Sequence, residues 1–320
     1  MINQELIESL FLQLSSQFHK AFDGNGEDEF VAQFATVMSS NTRTIDFSWL
    51  GESPQMREWI GQRVVNQLRN FRYEAGYKEY ELTMGVKVMD ILDNTLSHYS
   101  LQSFAGGQEA RMLRPKLVAK ALTNGTTGLC YDGHPFFYAS HPVGEDGDIT
   151  ATSNTYDAGG GWAATPFFMA DLSKVIKPII LNDRLSPQFQ QFTSMSDEHV
   201  FKNREYLFGT NSAHGTAYGL WQTCFRSGLP ATANSLIALD LAMKSLTKDK
   251  KDEDGRRPYL GIKPTHIFHG ISTGERLRRL IDSPFLTDLG GDPLSPGATD
   301  TGKSNPVYKR WQLVEVSWLP

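Results

Sequence analysis

WLGESPQMREWIGQRVVNQLRNFRYEAGYKEYELTMGVKVMDILDN, residues 49–94, is the stretch around which the rest of the chain is arranged. Within it Tyr80, Leu82, Met84, Val86 and Val88 are apolar at every second position, with Glu81, Thr83 and Lys87 between them. A period of two marks a strand with one buried face. Phe71, Tyr73 and Ala75 alternate in the same way. Gly76 lies between the two runs and takes a positive φ at no steric cost, so the pair reads as a hairpin turning near Ala75 and Gly76. Each arm would reach roughly 30 Å. Burying five such side chains is worth on the order of 8–15 kcal/mol as an upper bound. The apolar face therefore needs a second surface, supplied either by helices of the same chain or by a neighbouring subunit.

The 320 residues are 40 % hydrophobic and 21 % charged, ordinary values for a globular chain with one large or two modest cores. A net charge of −5 argues against affinity for nucleic acid through phosphate neutralisation. No run approaches the length of a membrane span, and residues 1–5 lack the basic start of a signal peptide, so synthesis in a cytoplasm is expected. Cys130 and Cys224 are too few for a disulfide framework and are taken as reduced.

Four blocks carry a family resemblance: Trp49-Leu50-Gly51; residues 57–63, REWIGQR; Cys130-Tyr131-Asp132-Gly133 with Phe136-Phe137 and His141-Pro142-Val143; and residues 261–266, GIKPTH. In order and spacing they resemble the major head subunit of Mu-like bacteriophages, the gpT family, over about residues 41–319. The resemblance implies an α+β capsid protein of the Hong Kong 97 fold. Its parts would be an N-terminal arm (1–48), an extended hairpin or E-loop with its entry (49–94), and a peripheral domain with a spine helix at about 95–124 (95–230). An axial domain (231–300) and a closing strand (301–320) would follow. It also implies many copies in pentamers and hexamers, a virion location, and assembly in the bacterial host cytoplasm with a scaffold or protease, a portal and a decoration protein. Such a shell encloses double-stranded DNA without sequence-specific binding, with no membrane, no cofactor and no catalytic residue. Arg63, Tyr73, Lys78, Tyr80, Leu82 and Met84 on the hairpin are the expected subunit contacts.

Along the chain, residues 2–22 place Leu6, Leu10, Leu14 and Phe18 on one helical stripe ended at Asp23-Gly24. Asn94 or Thr95 is expected to cap the spine helix, and Gly106-Gly107 with Pro115 to break it. Strands are expected at 166–171, 175–181, 204–209, 258–268 and 307–319, and a short helix at 217–225. Leu236, Leu239 and Met243 mark an amphipathic helix, and Ser272-Thr273-Gly274-Glu275 a capping box opening another.

Three motifs resemble chemistry. Cys130, Asp132, His134 and His141 include soft and hard metal ligands, the basis of an alternative reading as a soluble α+β metal-dependent enzyme. Their C-x3-H-x6-H spacing has no second pair, however, and Asp132-Gly133 is a turn signal. His266 and His269, three apart on a strand, point to opposite faces. Residues 297–304, GATDTGKS, match the phosphate-loop letters around Lys303, but no strand feeds them and Pro306 follows where a helix should start.

Overall fold

The computed structural model describes residues 4–24, 28–40, 44–46, 73–93, 95–144, 147–157, 165–194, 198–252, 255–285 and 304–320. In chain order these form α1 (Gln4–Phe22), α2 (Asp28–Phe34), β1 (Ala35–Met38), β2 (Ile45–Asp46), β3 (Glu74–Ala75), β4 (Lys78–Lys87), α3 (Val88–Leu92) and α4 (Ser97–Thr123). Then come β5 (His141–Val143), β6 (Thr150–Thr152), β7 (Thr155–Asp157), β8 (Phe167–Ala170), β9 (Ile179–Phe192), α5 (Glu198–Asn203) and β10 (Glu205–Tyr218). The chain closes with β11 (Cys224–Gly228), α6 (Ala233–Lys244), β12 (His266–His269), α7 (Ile271–Asp282) and β13 (Gln312–Glu315).

Two sheets carry the fold. One has the order β1-β9-β10-β4, with β1 parallel to β9 and the other pairs antiparallel; the second has the order β13-β12-β8-β11-β7 and is mixed. Its central strand, β8, is Phe-Phe-Met-Ala and buried at every position, as a strand covered on both faces must be. This sheet draws strands from both sides of residue 231.

The strand at Tyr80–Val86 forms as the alternation requires, but the hairpin does not. β4 pairs with β10 over its whole length, and Glu74–Ala75 pairs instead with Ile45–Asp46. Gly76 does not take a positive φ. The reason is apolar: β10 offers Tyr206 and Phe208, both fully buried, beside Val86, and α1 covers them with Leu10 and Leu14. Val86 is thus buried within the chain and Tyr80 and Met84 are half-buried, while Leu82 stays exposed. The preceding part of the expected E-loop, residues 49–72, lies outside the described residues.

The spine helix is also unbroken. α4 runs 27 residues through Gly106, Gly107 and Pro115. The glycines are a groove rather than a break: a Cβ on Gly107 would lie 2.2 Å from the Phe18 carbonyl oxygen, and one on Gly106 2.6 Å from Leu82 Cδ2. α1 and β4 close onto α4 there, and Ser103 Oγ donates to the Leu14 carbonyl at 2.7 Å. Packing outweighs the roughly 1 kcal/mol propensity cost of each glycine. The helix starts after Leu96 with no side-chain cap, because the Thr95 hydroxyl donates to the Asp90 carbonyl instead.

Other expectations are corrected at element ends. Residues 217–225 form no α-helix: β10 ends at Tyr218, and a single 3-10 turn buries Trp221 before β11. The capping box at 272–275 is absent; α7 is capped by Gly270, and Thr273 and Gly274 are buried in its first turn. The strands expected at 175–181 and 204–209 are far longer, 14 residues each, while those expected at 258–268 and 307–319 are only 4 residues each.

Candidate assembly surfaces

β4 places four of the expected contact residues, Lys78, Tyr80, Leu82 and Met84, on an edge strand, since β10 occupies one side and no strand pairs with the other among the described residues. Tyr73 is turned into its own chain. Its hydroxyl accepts the Tyr218 N–H at 2.8 Å, and burial pushes the phenol up to about 12. Tyr80 is half-buried, its ring 6.2 Å from that of His214, and burial raises its phenol. Met84 is half-buried against the second core, and Leu82 is 41 % exposed beside Gly106. Lys78 is exposed, opposite His214 in the ladder. Arg63 lies outside the described residues.

The end of the β9–β10 ribbon carries a feature not legible in the sequence. Lys87 pairs with Glu205, the Val88 N–H donates to the Arg204 carbonyl at 3.0 Å, and Leu207 sits opposite Phe192. This register brings α3, α5 and the end of β9 to one place. Met89, Leu92, Phe192 and Phe201 are all more than half exposed there, Phe201 at 81 %. Scattered exposed leucines are normal, but large apolar groups gathered at one tip mark an interaction site. In Val200-Phe201 only one of two adjacent helical residues can face inward, and the sequence does not say which. Val200 is the buried one.

Three of the four residues of the suspected metal cluster do converge. Cys130, Asp132 and His141 place ligand atoms within 4.8 Å of one another. Those atoms are engaged with each other: His141 Nδ1 lies 2.6 Å from Asp132 Oδ2, and the Cys130 thiol and the His134 N–H both donate to Asp132 Oδ1 at 3.0 Å. His134 turns its ring away onto Tyr138, and His141 stacks on Trp221 with centroids 4.1 Å apart. Burial pushes the Asp132 carboxyl up, but the hydrogen bonds from His141, Cys130 and His134 outweigh it and hold the group below the usual carboxylate range. Burial first, and then the Asp132 charge, drives the Cys130 thiol far up, away from the thiolate a soft metal needs. The cluster is a hydrogen-bonded knot tying the turn at Asp132-Gly133 to β5.

His266 and His269 do not converge: one bonds Thr265 Oγ1 and the other the Gly270 carbonyl. In the phosphate-loop match, residues 297–303, Lys303 among them, lie outside the described residues.

Comparison with known proteins gives the class. The chain matches the family described as the Mu-like prophage major head subunit gpT over residues 7–319. It is 30 % identical to the major capsid protein of Escherichia phage Mu over 312 residues, covering 96 % of this chain and 97 % of that one. It is also 30 % identical to the Mu-like prophage FluMu major head subunit of Haemophilus influenzae, covering 90 % and 92 %. Among solved structures it is similar to the procapsid of bacteriophage JBD30, with TM-score 0.79, 28 % identity and 99 % and 100 % of the two chains covered. It is similar to the JBD30 capsid, with TM-score 0.71, 23 % identity and 91 % and 90 % covered.

The fold is that of the Hong Kong 97-like phage capsid proteins, and the protein is a structural shell component. The chain belongs to the Mu-like prophage major head subunit gpT family and is a major capsid protein of that kind. The reading as a metal-dependent enzyme is not supported.

Proposed function

We propose that many copies of this chain associate, as pentamers and hexamers, into an icosahedral shell around double-stranded DNA, with no catalysis of their own. The observation that carries this is the exposed apolar tip formed by Met89, Leu92, Phe192 and Phe201 at the end of the β9–β10 ribbon. An apolar group held far from the main core gains free energy only by meeting another molecule, and a closed shell repeats that contact over every copy. The exposed charges on β4, including Lys78, would fix register rather than add affinity.

In this reading the five-stranded sheet with α6 and α7 is the axial part of the subunit, and α4 with the four-stranded sheet is the peripheral part. The expected E-loop, 49–94 with Arg63, would overlap a neighbour in this proposal. Scaffold or protease, portal and decoration partners belong to the same proposal. A related shell is described as a JBD30 capsid decorated with minor capsid protein trimers. The protein would reach the virion from the host cytoplasm; among the described residues no helix is long and apolar enough to cross a membrane.

Electron microscopy and sedimentation of the purified chain across a concentration series test the reading. Closed shells or capsomer rings are expected. A monomer at every concentration, with and without the gene's scaffold supplied, would sink it.

A further inference from the structure

Residues 171–178, DLSKVIKP, join β8 to β9, and residues 261–264, GIKP, lead towards β12. The two segments are distant in the chain and lie side by side in the fold. Asp171, fully buried, ties them together. Its Oδ1 accepts the Ser173 N–H at 2.9 Å and the Ser173 hydroxyl at 2.6 Å, and its Oδ2 accepts the Lys263 N–H at 2.9 Å. The Leu172 N–H donates to Thr265 Oγ1 at 3.1 Å, and Gly261 has a φ of +66°, which glycine takes without strain.

This arrangement brings three lysines to one place. Lys174 Nζ donates to the Gly261 carbonyl at 2.9 Å, reaching across to the segment that carries Lys263. Lys177 Nζ donates to the Leu172 carbonyl, and its backbone N–H donates to Thr36 Oγ1 at 2.9 Å. Lys174 and Lys177 are half-buried and Lys263 is exposed. Burial holds the neighbouring His266 below the ordinary imidazole range against a hydrogen bond from Gln312, and the charge of Lys177 adds to the lowering. The ring is therefore neutral at neutral pH, and the charge here is that of three ammoniums over one buried carboxylate.

A lysine ammonium has three N–H bonds, and a carbonyl takes only one of them. A carbonyl also leaves the charge uncancelled. Lys116, Lys202 and Lys244 are paired with carboxylates, whereas Lys174, Lys177 and Lys263 form no ion pair among the described residues. In a chain of net charge −5, such a face is a local reversal of sign.

Lysines meet phosphate as point charges and position a duplex without reading its bases. The cores of protein interfaces are instead poor in lysine and rich in aromatic groups, and neither segment has an aromatic residue. Val175, 92 % exposed, is their only largely exposed apolar side chain. We propose that Lys174, Lys177 and Lys263 form a sequence-independent contact for the phosphate backbone of double-stranded DNA. On the reading of the chain as a shell around DNA, on which this rests, that face of the subunit is turned inward. Three such contacts give weak, salt-sensitive binding that lets the polymer slide along the wall.

Fluorescence anisotropy of short labelled duplexes with the full, unassembled chain tests this, over about 50–200 mM salt. The logarithm of the parent's affinity should fall linearly with the logarithm of salt concentration. Lys174→Gln, Lys177→Gln and Lys263→Gln should each reduce that slope by about 1, equally on duplexes of different sequence, and together by roughly 2.7. The corresponding triple change to arginine should keep the parent slope, and so should Lys202→Gln, at the ribbon tip. If the triple glutamine variant does not fold, Lys263→Gln alone decides, since its exposed ammonium supports no other segment. An unchanged slope in the folded glutamine variants would overturn the contact. So would a parent that binds no duplex at low salt, or one that binds a polyglutamate peptide more tightly than duplex, which would assign the face to an acidic protein. Shells seen by electron microscopy from a parent that binds no duplex would remove this contact and leave the shell reading intact. Lysine-dependent duplex binding by a chain that never forms shells would do the reverse.

Discussion

Gly107 of α4 and the carbonyl of Phe18 in α1 approach so closely that an added Cβ would lie 2.2 Å from the oxygen. Gly106, one residue earlier, faces only the flexible end of Leu82. Gly107→Ala should therefore cost about 1–3 kcal/mol by forcing two helices apart. Gly106→Ala should be near neutral, because side-chain adjustment is offset by up to about 1 kcal/mol of helix propensity. Urea unfolding of the two variants side by side checks this, and equal losses would contradict it.

The Asp132–His141 pair should make stability depend on acid. The carboxyl is held below its usual range in the folded chain, so its contribution is complete above the unfolded value of about 3.9 and is lost as pH falls through the folded one. Asp132→Asn should flatten that acid limb of the stability curve. Removing one partner of a buried pair costs about 3–5 kcal/mol, so His141→Ala should destabilise strongly at neutral pH. Denaturant titrations from about pH 3, roughly one unit below the ordinary carboxylate value, up to about pH 7, roughly three units above it, provide the measurement.

Both thiols are buried and their titration is pushed far up, chiefly by burial. Neither Cys130 nor Cys224 should react with a disulfide reagent in the native chain at pH 8, a common working value about half a unit below a free thiol. Both should react on unfolding. Rapid native labelling of Cys130 would show that the Asp132 knot opens locally.

Phe201→Ser removes an exposed apolar group from the ribbon tip, and Lys78→Glu reverses an exposed charge on β4. Each should reduce shell yield while leaving the monomer's thermal transition within about 0.5 kcal/mol of the parent. Arg63→Glu is expected to act in the same way. Normal yield from all three would remove these positions from the contact surface.

Much of the fold can be read from local pattern. The stripe Leu10, Leu14, Phe18 gives α1; the alternation Tyr80 to Val86 gives β4; Phe167-Phe168 gives a doubly covered strand. Element ends are less legible. Thr95 and Ser272 are good capping residues by type, yet neither caps, because cap geometry depends on where the preceding chain arrives. The pairing of Cys130, Asp132 and His141 follows from their closeness in sequence, but whether they face a metal or each other depends on a turn and on Trp221, eighty residues away.

By itself the sequence determined which residues must be buried and in what period, and, through its long ordered blocks, the family to which the chain belongs. Periodicity is a property of one element, and it needs no partner to be seen. Only the tertiary structure decided what each buried face meets. β4 pairs with β10 rather than with Glu74–Ala75, and Gly106-Gly107 became a groove instead of a break. Such choices are made by competition among distant surfaces for the same apolar area, and that competition is settled only when the whole chain is folded.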